Sequence, residues 1–254
     1  MGDICIVFTT NKAYFQYFIY TCDKLIQVGE YTGHICLVIG DDLVGDKLLT
    51  CDFIKNNNII IKYFPNIQFT PDFLDIQKDL NRPSHWYKKI FQFHKLHLFN
   101  TFFKQWNYIF YLDCGIHIFC DISPIINERK VNTLLAHSDA YPAYEWKLSD
   151  QFCKDDSELY KKLTTKFNLE KDYFQTTIML YDTNIITSDT YDELLDLLFE
   201  YPISKTNDQG IIALYFTNIK PLFKQIKTHS GDLYYYDYLS RNKKHKYIML
   251  KSDI

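Results

Sequence analysis

The chain has 254 residues and a formal net charge of -3, with 47% hydrophobic and 23% charged residues. Those proportions exclude a disordered chain. The slightly acidic balance argues against a general nucleic-acid binder, and no apolar run reaches the roughly 20 residues of a membrane span.

Asp3–Thr9 (DICIVFT) is a nearly continuous apolar run, as expected of a strand covered on both faces. Lys12–Val28 carries apolar residues at helical spacing, with Gly29 as a stop. His34–Ile39 reads as a second buried strand ending in Gly40-Asp41-Asp42, Lys47–Phe53 as a short helix, and Ile59–Phe64 as a third strand. Strands alternating with helices predict an α/β domain with a mainly parallel sheet flanked by helices. Pro65–Pro83 reads as irregular and Ser84–Trp106 as one long amphipathic helix. It feeds Tyr108–Leu112, the most strand-like stretch; Asp113-Cys114-Gly115 interrupts that run and Ile116–Phe119 resumes it. Charged helical stretches are expected at Asn127–Leu135 and Ser157–Phe167, a strand at Thr177–Tyr181, and helices at Tyr191–Phe199 and Asp208–Phe216. No repeat, low-complexity block or linker interrupts the pattern, so a single domain over residues 1–254 is expected.

The 21 Tyr and 20 Phe, beside many Ile, Asn and Lys and only 8 Gly, all follow from A/T-rich codons, which points to a parasite, bacterium or large DNA virus with an A/T-rich genome. The seven cysteines form no C-x-x-C pair. Their odd number, with no signal peptide and no N-x-[ST] sequon, leads us to expect a reducing, cytoplasmic setting.

In an open parallel sheet, ligands bind beyond the carboxyl ends of the strands. The polar residues there are Thr9, Thr10 and Asn11 after the first strand, Asp41 and Asp42 after the second, and Asp113 after Tyr108–Leu112. The chain has neither G-x-G-x-x-G after its first strand nor any G-x-x-x-x-G-K-[ST], so a glycine-rich phosphate loop is not how it would hold a nucleotide. A divalent cation shared between carboxylates and phosphates is one alternative.

The order of several segments resembles the GT-A glycosyltransferases, and within them the family-8 group of glycogenin, galactinol synthase and bacterial galactosyltransferases. The residues that carry the resemblance are Thr9-Thr-Asn-Lys-Ala-Tyr14, the pair Lys95-Leu96, and Asp113-Cys114-Gly115 followed by Asp121-Ile-Ser-Pro124. Further along they are Phe174-Gln-Thr-Thr-Ile-Met-Leu180, Asn207-Asp208-Gln209-Gly210 and His229-Ser230-Gly231. The resemblance implies a single-domain GT-A (Rossmann-like) fold. It also implies transfer of a hexose or N-acetylhexosamine from a UDP-sugar to a glycan, protein or small-molecule acceptor, with retention, assisted by Mn²⁺ or Mg²⁺. A homo-oligomer is compatible with it. Two departures stand out: Gly115 replaces the second aspartate of the family's D-x-D motif, and Asp232-Leu-Tyr-Tyr-Tyr replaces its terminal lysine and tryptophan.

Carried over residue by residue, the resemblance implies that Thr9, Thr10, Asn11 and Tyr14 contact base and ribose, Tyr14 by stacking. Asp113 would hold the cation or the ribose, His229 the cation, Lys95 would neutralise phosphate charge, and Cys114 and Gly115 would lie along the donor. Asp208, Gln209 and Thr177, beside Thr176, would stand at the reaction centre. Two rival readings are a non-catalytic homologue that binds a sugar nucleotide or glycan, suggested by Gly115, and a structural α/β protein. The run Arg241–Lys246 reads as a solvated surface.

Overall fold

A computed structural model describes residues 3–80, 89–138, 140–143, 145–238 and 246–251. Its main sheet has seven strands in the order β3-β2-β1-β4-β7-β6-β8. They are β1 (Ile4–Thr10), β2 (His34–Ile39), β3 (Ile60–Tyr63), β4 (Tyr108–Leu112), β6 (Leu134–His137), β7 (Gln175–Asp182) and β8 (Phe223–Gln225). The first four are mutually parallel and β7 runs antiparallel to both of its neighbours, so the sheet is mixed but mainly parallel. A second sheet, ordered β5-β11-β10-β9, is built from β5 (Ile116–Ile118), β9 (His229–Ser230), β10 (Leu233–Tyr238) and β11 (Lys246–Lys251).

The central strands are buried on both faces, which is why they read as apolar runs without alternation. Along β1, Cys5 and Val7 enter one core while Ile6 and Phe8 enter the other. Helix α1 (Phe15–Gln27) covers the second face with Phe15, Phe18, Cys22 and Leu25. The C-terminal sheet extends that face with Tyr235, Ile248 and Met249. The first face is covered by residues 93–103 and by the apolar sides of the later helices α6 (Thr190–Glu200) and α7 (Asp208–Leu214).

Several expectations need correction. Lys47–Phe53 is not one helix: a 3₁₀ turn (Lys47–Thr50) ends at the extended Cys51, and α2 (Asp52–Asn56) follows. The segment expected to be irregular contains helix α3 (Pro71–Leu80), which starts with proline at its first position while the Thr70 hydroxyl accepts from the Phe73 amide at 3.2 Å. Ser84–Trp106 is not one amphipathic helix. From Ile90 it forms two 3₁₀ stretches, Ile90–Phe99 and Thr101–Gln105, while residues 84–88 lie outside the described residues. Every residue from Phe93 to Phe99 is buried, so this stretch has no solvated face to support an amphipathic helix. Asn100 then turns extended and its side chain caps the second stretch through the Phe102 amide at 3.0 Å.

The helix expected over Asn127–Leu135 is absent. A short helix α4 (Ser123–Ile126) precedes a turn at Asn132 (φ 52°), and Leu134 already begins β6, a strand buried along its length between β7 and β8. Ile116–Phe119 does not resume β4; it changes sheets. The remaining helix, α5 (Ser157–Lys166), lies where its periodicity places it. Helix α7 stops at Leu214 and continues as π turns to Ile219.

The change of sheet turns on Gly115, whose φ of 83° lies in the left-handed region. Its amide donates to the hydroxyl of buried Thr21 on α1 at 2.8 Å, which pins the β4–β5 turn to the helix. Gly115→Ala is expected to lower the unfolding free energy by about 1–2 kcal/mol in urea titration. An unchanged midpoint would show that the turn adapts.

Candidate active site

Strand order reverses between β1 and β4, and ligands of open α/β sheets bind at such a switch point. A cavity of about 990 Å³ opens there. Thr9, Thr10 and Asn11 enter from the end of β1, Asp113 and Cys114 from the end of β4, Thr176 and Thr177 from β7, and Asp208 and Gln209 from the start of α7. Tyr14 and Lys95, also foreseen from sequence, line the cavity too. Residues as far apart in the chain as Thr9 and Gln209 thus converge through the sheet.

Lys95 is the centre of the polar network. Its ammonium lies 2.9 Å from Asp113 Oδ1 and 3.5 Å from Asp208 Oδ2, and donates to Thr176 Oγ1 at 3.4 Å. Thr176 in turn donates to Asp208 Oδ2 at 2.6 Å, and the Tyr111 hydroxyl donates to Asp113 Oδ1 at 2.6 Å. Burial alone would favour neutral lysine, but the charges of Asp113 and Asp208 outweigh it and hold Lys95 above its ordinary value. Burial raises the Asp208 carboxyl above the usual range, opposed by Lys95 and Thr176. Burial, then the charge of Asp113, pushes the Cys114 thiol up to about 12, so this cysteine is no thiolate nucleophile.

The loop before α7 is shaped for its task. Asn207 holds φ 52°, uncommon for a residue with a side chain, and its Nδ2 donates to Gln92 Oε1 at 2.6 Å. Gln151 Oε1 receives both Gln209 Nε2 at 2.8 Å and Thr206 Oγ1 at 2.9 Å. Gly210 follows because a Cβ there would collide with Ser204 Oγ. Three cavity-lining residues carry buried atoms without a hydrogen-bond partner among the described residues: Thr9 Oγ1, Gln175 Oε1 and Asn207 Oδ1. Buried polar atoms of this kind are costly unless something fills their site. Lysines outnumber aspartates around the cavity, with Lys89, Lys95, Lys205 and Lys251 against Asp113 and Asp208, which favours an anionic ligand.

Two expected residues are not part of this cavity. Gly115 lies behind the turn against α1, and His229 is exposed on β9, stacked on Tyr234 at 5.2 Å with Nδ1 3.1 Å from Thr228 Oγ1. Asp41 and Asp42 also stand outside it: Asp41 accepts from the Tyr63 hydroxyl at 2.7 Å and Asp42 from the Lys12 amide at 2.8 Å. The cation site expected from Asp113 and His229 is therefore not assembled. Asp113 Oδ1 is occupied by an ammonium and a phenol, Asp208 is committed to Lys95 and Thr176, and no three His, Cys, Asp or Glu side chains converge among the described residues. This donor set does not fit a Mn²⁺ or Mg²⁺ ion held by the chain, since such ions need several oxygen ligands.

Sequence reasoning missed Tyr111, Gln151, Gln175, Lys205 and Lys251. Tyr111 had a signal, because it precedes Asp113 by two residues and so shares its strand face. Lys251 had none, since its place depends on β11 pairing with β5, where Lys251 faces Ile116.

No family model matches the chain, and no curated protein matches it by sequence. Solved structures do match by shape. The galactosyltransferase LgtC in complex with donor and acceptor sugar analogues superposes with a TM-score of 0.58 at 12% identity, covering 92% of this chain and 75% of that one. Mouse xyloside xylosyltransferase 1 gives 0.52 at 12% identity over 99% and 97%. Core-mannan synthase A from Aspergillus fumigatus, in its Mn/GDP form, gives 0.55 at 10% identity over 89% and 73%. The fold is that of the GT-A glycosyltransferases. Among the described residues no helix is long and apolar enough to cross a membrane.

Proposed function

We propose that this protein is a glycosyltransferase that moves a hexose or N-acetylhexosamine from a UDP-sugar to an acceptor hydroxyl. The observation that carries this reading is the buried Lys95–Asp113–Asp208–Thr176 network, set at the switch point of a GT-A fold in a cavity rich in lysine and in unsatisfied polar atoms. Hydroxyl-rich sugars suit the two carboxylates and two threonines, and the lysines suit a diphosphate.

In the transfer, the bond between the anomeric carbon and the diphosphate oxygen breaks, and its electron pair leaves with the nucleoside diphosphate. The acceptor oxygen bonds to that carbon and passes its proton to the departing diphosphate oxygen. An inverting enzyme would need a carboxylate base aimed at the acceptor. Both carboxylates that line the cavity among the described residues are bound to Lys95, which favours retention. The donor diphosphate could leave through the lysine-lined side, while Gln209 and Thr177 face the sugar; the Tyr236 hydroxyl holds Thr177 in place through its Oγ1 at 2.8 Å.

A melting-temperature panel of nucleotides and nucleotide sugars tests the ligand class. Ligand at about 100 times its dissociation constant adds about 2.7 kcal/mol of stability. The expected result is a shift with UDP or a UDP-sugar that is lost in Asp113→Asn. No shift with any nucleotide would mean that the likeness to glycosyltransferases is one of fold only. The departure at Gly115 keeps a second reading open, a binder without turnover; release of UDP from a UDP-sugar separates the two.

A further inference from the structure

A departing diphosphate needs a cation, and the chain's own donors do not fit a divalent one. Lys95 is already spent on two carboxylates. Lys251 is not: no carboxylate lies within salt-bridge distance of it among the described residues, yet it lines the same cavity. Its Nζ donates to the Cys114 carbonyl at 2.6 Å, inside the Asp113–Gly115 turn. Strand pairing fixes this placement, because β11 lies antiparallel to β5 with Lys251 opposite Ile116, the first residue after that turn. An ammonium carries three donors, and the carbonyl takes one. Held this way, Lys251 is a pre-aimed point cation with donors to spare.

We propose that Lys251 binds the diphosphate of the nucleotide donor and does there what a divalent ion would otherwise do, so that nucleotide binding needs no metal. The inference rests on the nucleotide-sugar reading above and adds to it the group that neutralises the phosphates. It assigns the acidic turn a new partnership: Asp113 orders Lys95, while the backbone of Cys114 orders Lys251.

Isothermal titration calorimetry with UDP and with GDP tests it, each in EDTA and in Mn²⁺, on wild type, Lys251→Met and Lys251→Arg. The expected result is wild-type affinity unchanged by EDTA. Lys251→Met should weaken binding about 10- to 100-fold with or without Mn²⁺, as losing a charged hydrogen bond does. Lys251→Arg should keep most of the affinity, and both variants should melt without ligand where wild type does. Binding that disappears in EDTA and returns with Mn²⁺ overturns the proposal, as does a Lys251→Met protein that binds like wild type. If neither nucleotide binds wild type in any condition, the nucleotide-sugar reading itself fails and takes this inference with it.

Discussion

Lys95→Met is expected to abolish sugar transfer and to lower the unfolding free energy by about 3–5 kcal/mol, the usual cost of removing one partner from a buried ion pair. The reason is the company Lys95 keeps. Without its ammonium, Asp113 and Asp208 face each other across a buried site with no cation between them. Asp208, whose carboxyl burial already raises, would then take up a proton. The double variant Lys95→Met/Asp208→Asn leaves Asp113 as the one remaining charge of the three and should recover part of the stability while remaining inactive. A double-mutant cycle in urea, with UDP release as the activity readout, separates the two effects. A Lys95→Met protein as stable as wild type would show that the network is not holding the site together.

Acid should destabilise the fold well above the carboxylate range, and the buried His94 and His97 contribute to this. His94 stacks on Phe91 at 4.7 Å, and His97 lies between Phe64 and Tyr191, each 4.6 Å away. Their Nε2 atoms sit 3.2 Å from the carbonyls of Ile39 and Pro65, which fixes those nitrogens as donors. Burial lowers His94 to about 4, and burial with the nearby His94 lowers His97 to about 3. The folded state therefore keeps both rings neutral where the unfolded chain, with histidines near 6.5, binds protons.

Above about pH 6.5 neither ring affects the balance. As pH falls below that value, stability drops by up to about 1.4 kcal/mol per pH unit for each ring, and levels off only near the folded-state values. His97→Phe keeps the stacking and removes one titration, so the slope should fall by up to about 1.4 kcal/mol per pH unit. Urea titrations at several pH values between 6.5 and 4.5 measure this. Equal slopes in the two proteins would refute the assignment.

How far the sequence could be read depended on whether the deciding forces were local. β1, β2 and β4 were legible because a strand buried on both faces must be apolar throughout, and their order against the intervening helices implied a parallel sheet. The strand ends alone pointed to Thr9 and Asp113, which line the cavity, and also to Asp41 and Asp42, which do not; Thr177 entered only through the resemblance. Other elements depend on partners far along the chain. Leu134–His137 is a strand because β7 and β8 bracket it, and its few residues carry no periodicity. The antiparallel direction of β7 leaves no local mark. The 3₁₀ path of Ile90–Phe99 follows from complete enclosure, which its apolar spacing mimicked as a helix. Lys251 reaches a carbonyl 137 positions away, and only strand register puts it there. The run Arg241–Lys246 stays outside comparison, because residues 241–245 lie outside the described residues.

The convergence of distant segments on one cavity also bears on how the protein acquires its ligand site. β1, β4 and β7 lie side by side at the centre of the main sheet, yet each is separated from the next by dozens of residues. Closing such long loops costs entropy before any contact offsets it, so folding of this topology is slow. No single hairpin or helix pair contains even half of the cavity wall. A partly folded chain therefore has nothing with which to hold a ligand at this cavity, and binding of the proposed nucleotide would be a late marker of the finished chain, blind to every earlier stage.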